Sequence, residues 1–236
     1  MKLKNLYPSL LIASSLYLSS CASFMVDSSM SVTPIDAEKG DFTADASLDR
    51  LPITTTESIP NDANYAVGVG FGYSLSNKDY LRINGQIDIS NQDYHAITGN
   101  ISYWRVLSEV NQGRHLLGLK LNSSFWGGNN EDLENYHDAY GLQFQYAYQH
   151  SFAPKMYGQL GANLGYGFAP SDIDNQGYML MSSVHAGATY RVSDYFEVLA
   201  DVNGSLIFFE YANSGSGFTN STYFSPGFQL GGRFLF

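Results

Sequence analysis

The side chains in this sequence that could best support catalysis are a serine, a histidine and an aspartate. Ser183 and His185 are two residues apart, so on a β-strand they share one face, and Asp201 falls on the next predicted strand. A serine hydroxyl beside an imidazole base is the arrangement of an activated nucleophile. Serine and histidine at this spacing also occur together by chance, and no surrounding motif marks a nucleophile. We therefore expect these residues to play a structural part.

A second group of candidate residues falls in predicted loops at one rim. Asp93 and His95 form an Asp-x-His triplet, and His137-Asp138 lies in another loop. This is similar to the omptins, ten-stranded outer-membrane proteases in which a rim Asp–His pair activates water. The chain departs from the omptins in its shorter length, its modest loops and its lack of a second matching carboxylate pair. Polar loop residues in contact with water are the favoured interpretation.

Acidic side chains in the same predicted loops could contact hard cations, which prefer oxygen ligands. No compact loop motif groups them, so loose bridging to lipopolysaccharide-bound cations is the most that the sequence supports. Cysteine and histidine show no metal-ligand spacing, and no glycine-rich phosphate loop joins a strand to a helix. The sequence therefore predicts no cofactor and no dedicated metal site. The acidic residues concerned are Asp132, Glu134, Asp172 and Asp174.

The elements that would position these residues are alternating β-strands. Charged residues make up 14% of the chain and aromatic residues 15%, yet no apolar run reaches the roughly 18 residues of a membrane helix. From Tyr65 onward, apolar residues alternate with Gly, Asn, Gln and Ser. An apolar outer face over a weakly charged inner face is typical of a transmembrane barrel, whereas a soluble barrel would need a charged exterior. The predicted fold is all-β: an antiparallel up-and-down transmembrane β-barrel.

The last predicted strand, residues 222–236, has one apolar face and ends on an aromatic residue. This pattern resembles the C-terminal signature of bacterial outer-membrane β-barrels. The resemblance implies recognition by the barrel-assembly machinery and an outer-membrane location. The residues of this expected assembly signal are Phe228, Leu230, Phe234 and Phe236, in phase with Phe224.

The strand count depends on the acidic segment that precedes Tyr65. Nine good strands follow Tyr65, and short connections at Ala153 and Ser193 alternate with longer ones at Gly127, Ala169 and 211–221. Because bacterial barrels usually have an even number of strands, an additional strand should precede Tyr65. The alternating stretch 42–48 is the candidate, with an exposed linker or a plug in the barrel mouth as alternatives. Ten strands are favoured within a range of eight to ten.

The start of the chain has the features of a bacterial lipoprotein signal. Lys2 and Lys4 precede a short apolar stretch, and Leu18-Ser19-Ser20-Cys21 resembles a lipobox. The resemblance implies lipidation of Cys21; an ordinary signal peptide cleaved nearby is the alternative. The predicted organisation is a signal peptide over 1–20, an acidic linker over 21–64 with a possible strand at about 41–49, and a barrel over 65–236.

The inward face should carry a network of paired charges, since buried charges must be paired and hydrogen-bonded. Pairing Val192 with Phe196 places Arg191 opposite Glu197, Gly187 opposite Asp201 and His185 opposite Asn203. An Arg191–Glu197 salt bridge is therefore predicted near the periplasmic end, inside a mostly filled lumen. The other expected members of this network are Arg82, Asp88, Lys120, Asp201 and Arg233.

Charge excludes one broad class of function, and three classes remain. The net charge of −10 argues against nucleic acid, whose binding is dominated by phosphate contacts. The remaining classes are a structural or surface-interaction barrel, a narrow pore, and an enzyme of the lipid A deacylase, palmitoyltransferase or omptin type. The sequence favours the first, a lipidated non-enzymatic outer-membrane barrel in contact with membrane lipids and lipopolysaccharide. Its oligomeric state is left open.

Overall fold

The computed structural model describes ten long β-strands. The described residues are 24–25, 32, 34, 36–51, 53–54, 64–89, 94–128, 137–170, 175–213 and 217–236. The long strands are β1 (Phe42–Leu51), β2 (Asn64–Ser74), β3 (Asp79–Asp88), β4 (Tyr94–Val110), β5 (Gly113–Gly128), β6 (His137–Ala153), β7 (Met156–Pro170), β8 (Asn175–Ser193), β9 (Phe196–Asn213) and β10 (Gly217–Leu235). A separate short pairing joins Phe24–Met25 to Ile53–Thr54.

The long strands form a closed antiparallel barrel. Each pairs with its neighbour along the chain, and β10 pairs with β1, with Phe228 opposite Arg50 at one limit and Leu235 opposite Thr43 at the other. The prediction of a ten-stranded up-and-down barrel is confirmed. The alternating stretch at the acidic lead-in is therefore a barrel strand, and the barrel begins at Phe42 rather than at residue 65.

The two faces of the barrel wall divide as the sequence alternation predicts. Apolar side chains point outward, with Val69 53% and Phe71 52% exposed, while Arg82 and Lys120 are 2% exposed on the inner face. Membrane hydrocarbon solvates such an exterior, and the polar side chains fill the lumen. Within the described residues, no helix is long and apolar enough to cross a membrane.

One end of the barrel has the tightest connections, and we call it the tight-turn end. Its turns lie at 75–78, 111–112, 154–155 and 194–195, and both ends of the barrel sheet meet there, with the Phe236 amide 2.9 Å from the Phe42 carbonyl oxygen. Asn111 takes a positive φ of 54° in one of these turns, a conformation that asparagine tolerates better than most residues.

The opposite end differs from the sequence prediction at one connection. Residues 211–221 were expected to form a loop because they are rich in Gly, Ser and Asn. Instead β9 and β10 continue through most of this stretch and pair up to Asn213 opposite Gly217. Backbone pairing in a two-stranded ribbon needs no apolar side chains, so composition misplaced the ends of both strands.

Candidate functional site

The lumen at the tight-turn end contains an apolar layer that the alternation did not predict. Trp104 is 1% exposed, and its ring lies across Gly118, where a Cβ would come within 2.7 Å of it. The sequence contains a signal for this layer. Large apolar residues occur at inward-facing positions of the strands, as Tyr80 does two residues before the inward-facing Arg82. The layer consists of Val32, Tyr80, Trp104, Val106, Leu116 and Ala147.

Val32 comes from the segment before β1, which enters the mouth of the barrel as a plug. Three arginines on three strands hold it. Arg233 donates to the Val32 carbonyl oxygen at 2.9 Å, and Arg114 donates to the carbonyl oxygen of the buried Pro34. These contacts hold Val32 and Pro34 in the mouth of the barrel. We call residues 32–36 the plug segment.

The third arginine, Arg191, binds the plug segment and the barrel wall together. Its Nη2 donates to Asp36 Oδ1 at 2.6 Å and to Glu197 Oε1 at 2.7 Å. The hydrogen bonds from Arg191 hold the pKa of Asp36, which lies outside the barrel wall, below its ordinary value. The predicted Arg191–Glu197 salt bridge is present. Arg191 also contacts the plug segment, which could not be predicted from the pairing of β8 with β9.

The register between β8 and β9 agrees with the prediction at three of the four pairs named. Arg191 lies opposite Glu197, Gly187 opposite Asp201 and His185 opposite Asn203. The predicted pairing of Val192 with Phe196 is wrong. Ser193 takes that position and the register shifts between residues 191 and 193, which indicates a β-bulge beside the tight turn.

Glu197 is the centre of a buried group at the tight-turn end. It is 0% exposed, accepts a hydrogen bond from the Tyr157 hydroxyl at 2.8 Å, and lies 3.5 Å from Arg233 Nη1. With Arg191 it therefore has three donors. This arrangement satisfies the requirement that a buried carboxylate be paired and hydrogen-bonded.

Arg82 belongs to a second group, which adjoins the Glu197 group where β10 pairs with β1. Its partner is Asp45 on β1, and both side chains are buried. Asp45 in turn lies directly opposite Arg233 on β10. Gly70 of β2 lies between Arg82 and Asp45, and a Cβ there would come within 2.7 Å of Asp45 Oδ1. Asp45 was not predicted, because its segment also had the composition of a linker. The charges around Glu197 and Arg82 are thus at least two adjoining groups of the predicted network.

Two further contacts cross β2 in the same way. The hydroxyls of Thr43 on β1 and Tyr80 on β3 are 2.6 Å apart, and Gln86 donates to Asp49 at 2.6 Å. Gly72 lies under the first contact, since a Cβ there would touch the Tyr80 hydroxyl. Glycines on the inner face of β2 therefore allow side chains of β1 and β3 to meet directly.

The remaining predicted lumenal charges are all buried on the inner face. Lys120 is 2% exposed, Asp88 7% and Asp201 6%. Asp201 contacts His185 and Gln159 rather than the arginines. It therefore belongs to a third group in the middle of the lumen.

Ser183, His185 and Asp201 form this third group. The Ser183 hydroxyl is 3.0 Å from His185 Nε2, and His185 Nδ1 is 3.2 Å from Asp201 Oδ1. Asn163 Nδ2 also lies 3.0 Å from His185 Nε2. The three candidate residues are therefore assembled in the order nucleophile, base and orienting carboxylate, which is more than the sequence analysis expected.

The rim candidates that the structure describes lie on strands of the barrel. His95 lies in β4, and His137 and Asp138 lie in β6, with β5 between the two strands. These residues were predicted to lie in loops, but they lie in strands. Asp93, Asp132, Glu134, Asp172, Asp174 and the predicted lipidation residue Cys21 lie outside the described residues. Among the described residues, no group of three or more His, Cys, Asp or Glu could hold a metal ion.

The apolar residues of the final strand lie at the closure of the barrel. Phe234 pairs with Ala44 and Leu230 with Leu48, so both take part in joining β10 to β1. The ring of Phe236 lies 5.9 Å from that of Phe42. Together with Phe228, these residues lie on the outward side of β10, the strand whose pairing with β1 closes the barrel.

Comparison with known proteins gives likeness only at the level of solved structures. No family model matches the chain, and no curated protein matches it. The N-terminal β-barrel domain of Pseudomonas aeruginosa OprF is 13% identical, with 85% of this chain and 100% of that chain covered and a TM-score of 0.40. The outer membrane protease OmpT from Escherichia coli is 8% identical, with 83% and 91% covered and a TM-score of 0.39.

A third similar structure is the COG4313 outer membrane channel from Pseudomonas putida F1, which is 11% identical. The alignment covers 87% of this chain and 100% of that chain, with a TM-score of 0.42. These likenesses are too distant to carry an argument about the site. The fold rests on the strand pairing of this chain, and its function must be argued from its own side chains.

Proposed function

We propose that the protein is a closed outer-membrane β-barrel lipoprotein with a structural or surface-interaction role, and that its lumen does not conduct. The observation that carries this proposal is the plug segment, held at the tight-turn end by Arg114, Arg191 and Arg233. Behind it, the apolar layer around Trp104 occupies the lumen. An ion would have to pass both.

The membrane location is supported by the barrel wall. The exterior carries apolar side chains along every long strand, and the sheet closes through the pairing of β10 with β1, as a span in lipid requires. Strands of 15 to 19 residues over β4–β10 exceed the roughly 9–11 residues that a tilted strand needs to cross hydrocarbon. Such barrels are outer-membrane structures in bacteria.

A lipid anchor at Cys21 fits this arrangement. The plug segment enters at the tight-turn end, which we assign to the periplasmic side because short turns mark that side. The chain from Cys21 to Val32 can span at most about 40 Å. An acyl chain in the periplasmic leaflet is therefore within reach. Mass spectrometry of the mature protein tests the anchor: Cys21→Ser should lose the acyl mass.

The outward face of β10 is the proposed recognition element for the barrel-assembly machinery. Its apolar residues join the first strand to the last, so they must be in place when the barrel closes. Lipids and lipopolysaccharide would contact the remaining exterior. The residues concerned are Phe228, Leu230, Phe234 and Phe236.

Planar-bilayer conductance of the refolded mature protein tests the closed-lumen proposal. The wild type should be silent, whereas an Arg191→Ala, Glu197→Ala double variant should leak, because it removes one of the three arginines that hold the plug segment and the Glu197 carboxylate that pairs with Arg233. Arg105→Ala with Asp79→Ala is the matched control, since this 3.6 Å pair includes an arginine that is 60% exposed. Stable conductance steps from the wild type would make the protein a narrow pore instead.

A further inference from the structure

The middle of the lumen contains more than an assembled Ser–His–Asp group. Ser183 on β8 lies directly opposite Asn163 on β7 and Ser205 on β9. Ser205 is 0% exposed, and its hydroxyl has no hydrogen-bond partner within the described residues. Ser183 is therefore flanked by an amide and by a free hydroxyl, one strand away on each side.

These flanking groups are placed where a hydrolytic site needs donors. Residues directly opposite each other on one face of a sheet have Cβ atoms about 4.5–5.5 Å apart. An oxygen that develops negative charge at a carbon bound to Ser183 could accept from Ser205 Oγ, whereas Asn163 Nδ2 already lies 3.0 Å from His185 Nε2. An oxyanion hole requires a donor of this kind beside the nucleophile.

On β8 and β9, the inward positions next to Ser183 on the side away from the plug segment are apolar. Met181 is 1% exposed and Ile207 0%, and Met179 lies over Gly167, where a Cβ would come within 2.7 Å of the Met179 methyl carbon. Methionine side chains are unbranched and can move aside to fit an irregular apolar group. These apolar side chains would not stabilise a lumen filled with water, but they would solvate a hydrocarbon chain.

We propose that Ser183 is the nucleophile of an esterase site for carboxylic esters with an apolar acyl chain. The substrate reaches it from the end opposite the plug segment. His185 is the general base and Asp201 the positioning residue that holds its ring. Ser205 stabilises the oxyanion, and Met179, Met181 and Ile207 accommodate the acyl chain. This activity is independent of whether the barrel conducts ions.

The reaction uses only the ester and water. Ser183 Oγ bonds to the ester carbonyl carbon while its proton moves to His185 Nε2. The bond between that carbon and the alcohol oxygen then breaks, and the alcohol departs with the proton from His185. A water molecule attacks the acyl-serine with His185 again taking a proton. Cleavage of the acyl–Oγ bond releases the fatty acid and returns the proton to Ser183.

A fluorophosphonate with a long alkyl chain, applied to the folded full-length protein in detergent micelles, tests the proposal. Intact mass should show one adduct, which peptide mapping should place on Ser183. Ser183→Ala should abolish the adduct. Ser182→Ala is the matched control, because Ser182 has the opposite phase on the same strand and faces outward, and it should label as the wild type does.

Hydrolysis of p-nitrophenyl esters of increasing chain length gives the second readout. The rate should rise from acetate to long-chain esters. His185→Gln should lower kcat about 10²–10⁴-fold. Asp201→Asn should lower kcat with little change in KM, a result that general loosening of the lumen would not produce. Ser205→Ala should lower kcat about 10²-fold.

Two results would overturn the proposal. One is the absence of any Ser183 adduct on protein whose electrophoretic mobility shows a folded barrel. The other is ester hydrolysis that Ser183→Ala leaves unchanged. In either case the Ser183–His185–Asp201 group would be a purely structural part of the lumen.

Discussion

Two sectors of the barrel fill the lumen by different means. In the glycine sector, β1, β2 and β3, the middle strand has glycine at its inward positions and the flanking strands contact each other across it. In the histidine sector, β7, β8 and β9, the middle strand supplies His185, which contacts Asn163 on one side and Asp201 on the other. One sector joins its outer strands directly, and the other joins them through an intermediate side chain.

The difference decides how each sector tolerates change. In the glycine sector, Asp45 has one ion-pair partner among the described residues, Arg82. In the histidine sector and its tight-turn end the contacts are shared, since Glu197 has Arg191, Arg233 and Tyr157 as donors. Loss of Arg82 should therefore matter more than loss of one of the three donors to Glu197.

The largest expected effect is that of filling the glycine sector with Gly72→Leu. A Cβ at this position touches the Tyr80 hydroxyl and lies 2.6 Å from Thr43 Oγ1, so a leucine cannot fit without separating β1 from β3. Overpacking of this kind usually costs about 1–3 kcal/mol. Separating β1 from β3 also breaks the buried Arg82–Asp45 pair, which adds about 3–5 kcal/mol. Urea unfolding in lipid vesicles measures the change.

The matched control for this prediction is Gly85→Leu on β3. An ideal Cβ at Gly85 has no atom within 4 Å, because the residue faces outward in an open position. The free energy of unfolding should therefore stay near that of the wild type. If the two leucine variants unfold at the same urea concentration, the contacts across β2 do not hold the sector together.

The same sector shows what the sequence could and could not predict. Alternation predicted the barrel, its apolar exterior and ten strands, because a period of two is a local property of each strand. The partner of Arg82 was not predictable in this way. Asp45 lies two strands away, and the contact exists because Gly70 has no side chain, a feature that depends on the register of three strands together.

The plug segment and the apolar layer were harder still to predict. Val32 and Asp36 lie in a polar stretch whose contacts are with residues more than a hundred positions away in the sequence, on β8 and β10. No local period reports such contacts. Ser183, His185 and Asp201 were found because two of them share a strand and the register of β8 with β9 was predicted from its tight turn.

The next largest effect compares loss of one arginine in each region. Arg82→Met removes the ion-pair partner of the buried Asp45, and breaking a buried pair in this way costs about 3–5 kcal/mol. Arg191→Met should cost about 1 kcal/mol, because Arg191 is partly exposed and Glu197 keeps Arg233 and Tyr157. Urea unfolding of both variants shows which of them loses more free energy of unfolding. Equal losses would mean that shared contacts give no protection.

The smallest expected effect concerns pH and the plug contact of Asp36. Hydrogen bonds from Arg191 hold the pKa of Asp36 below its ordinary value, so the carboxylate stabilises the folded state above the unfolded pKa, about 3.9. This contribution is lost as pH falls through the lower folded pKa.

At pH 6 the melting temperature of wild type should exceed that of Asp36→Asn slightly, since the Asp36 side chain is 56% exposed and its contact is screened by water. The difference should disappear below the folded pKa. Glu38→Gln is the matched control, because it removes a neighbouring exposed charge and leaves the Arg191–Asp36 contact in place. A wild-type advantage over Asp36→Asn that persists at pH 2 would mean that the Arg191–Asp36 contact does not hold the plug segment.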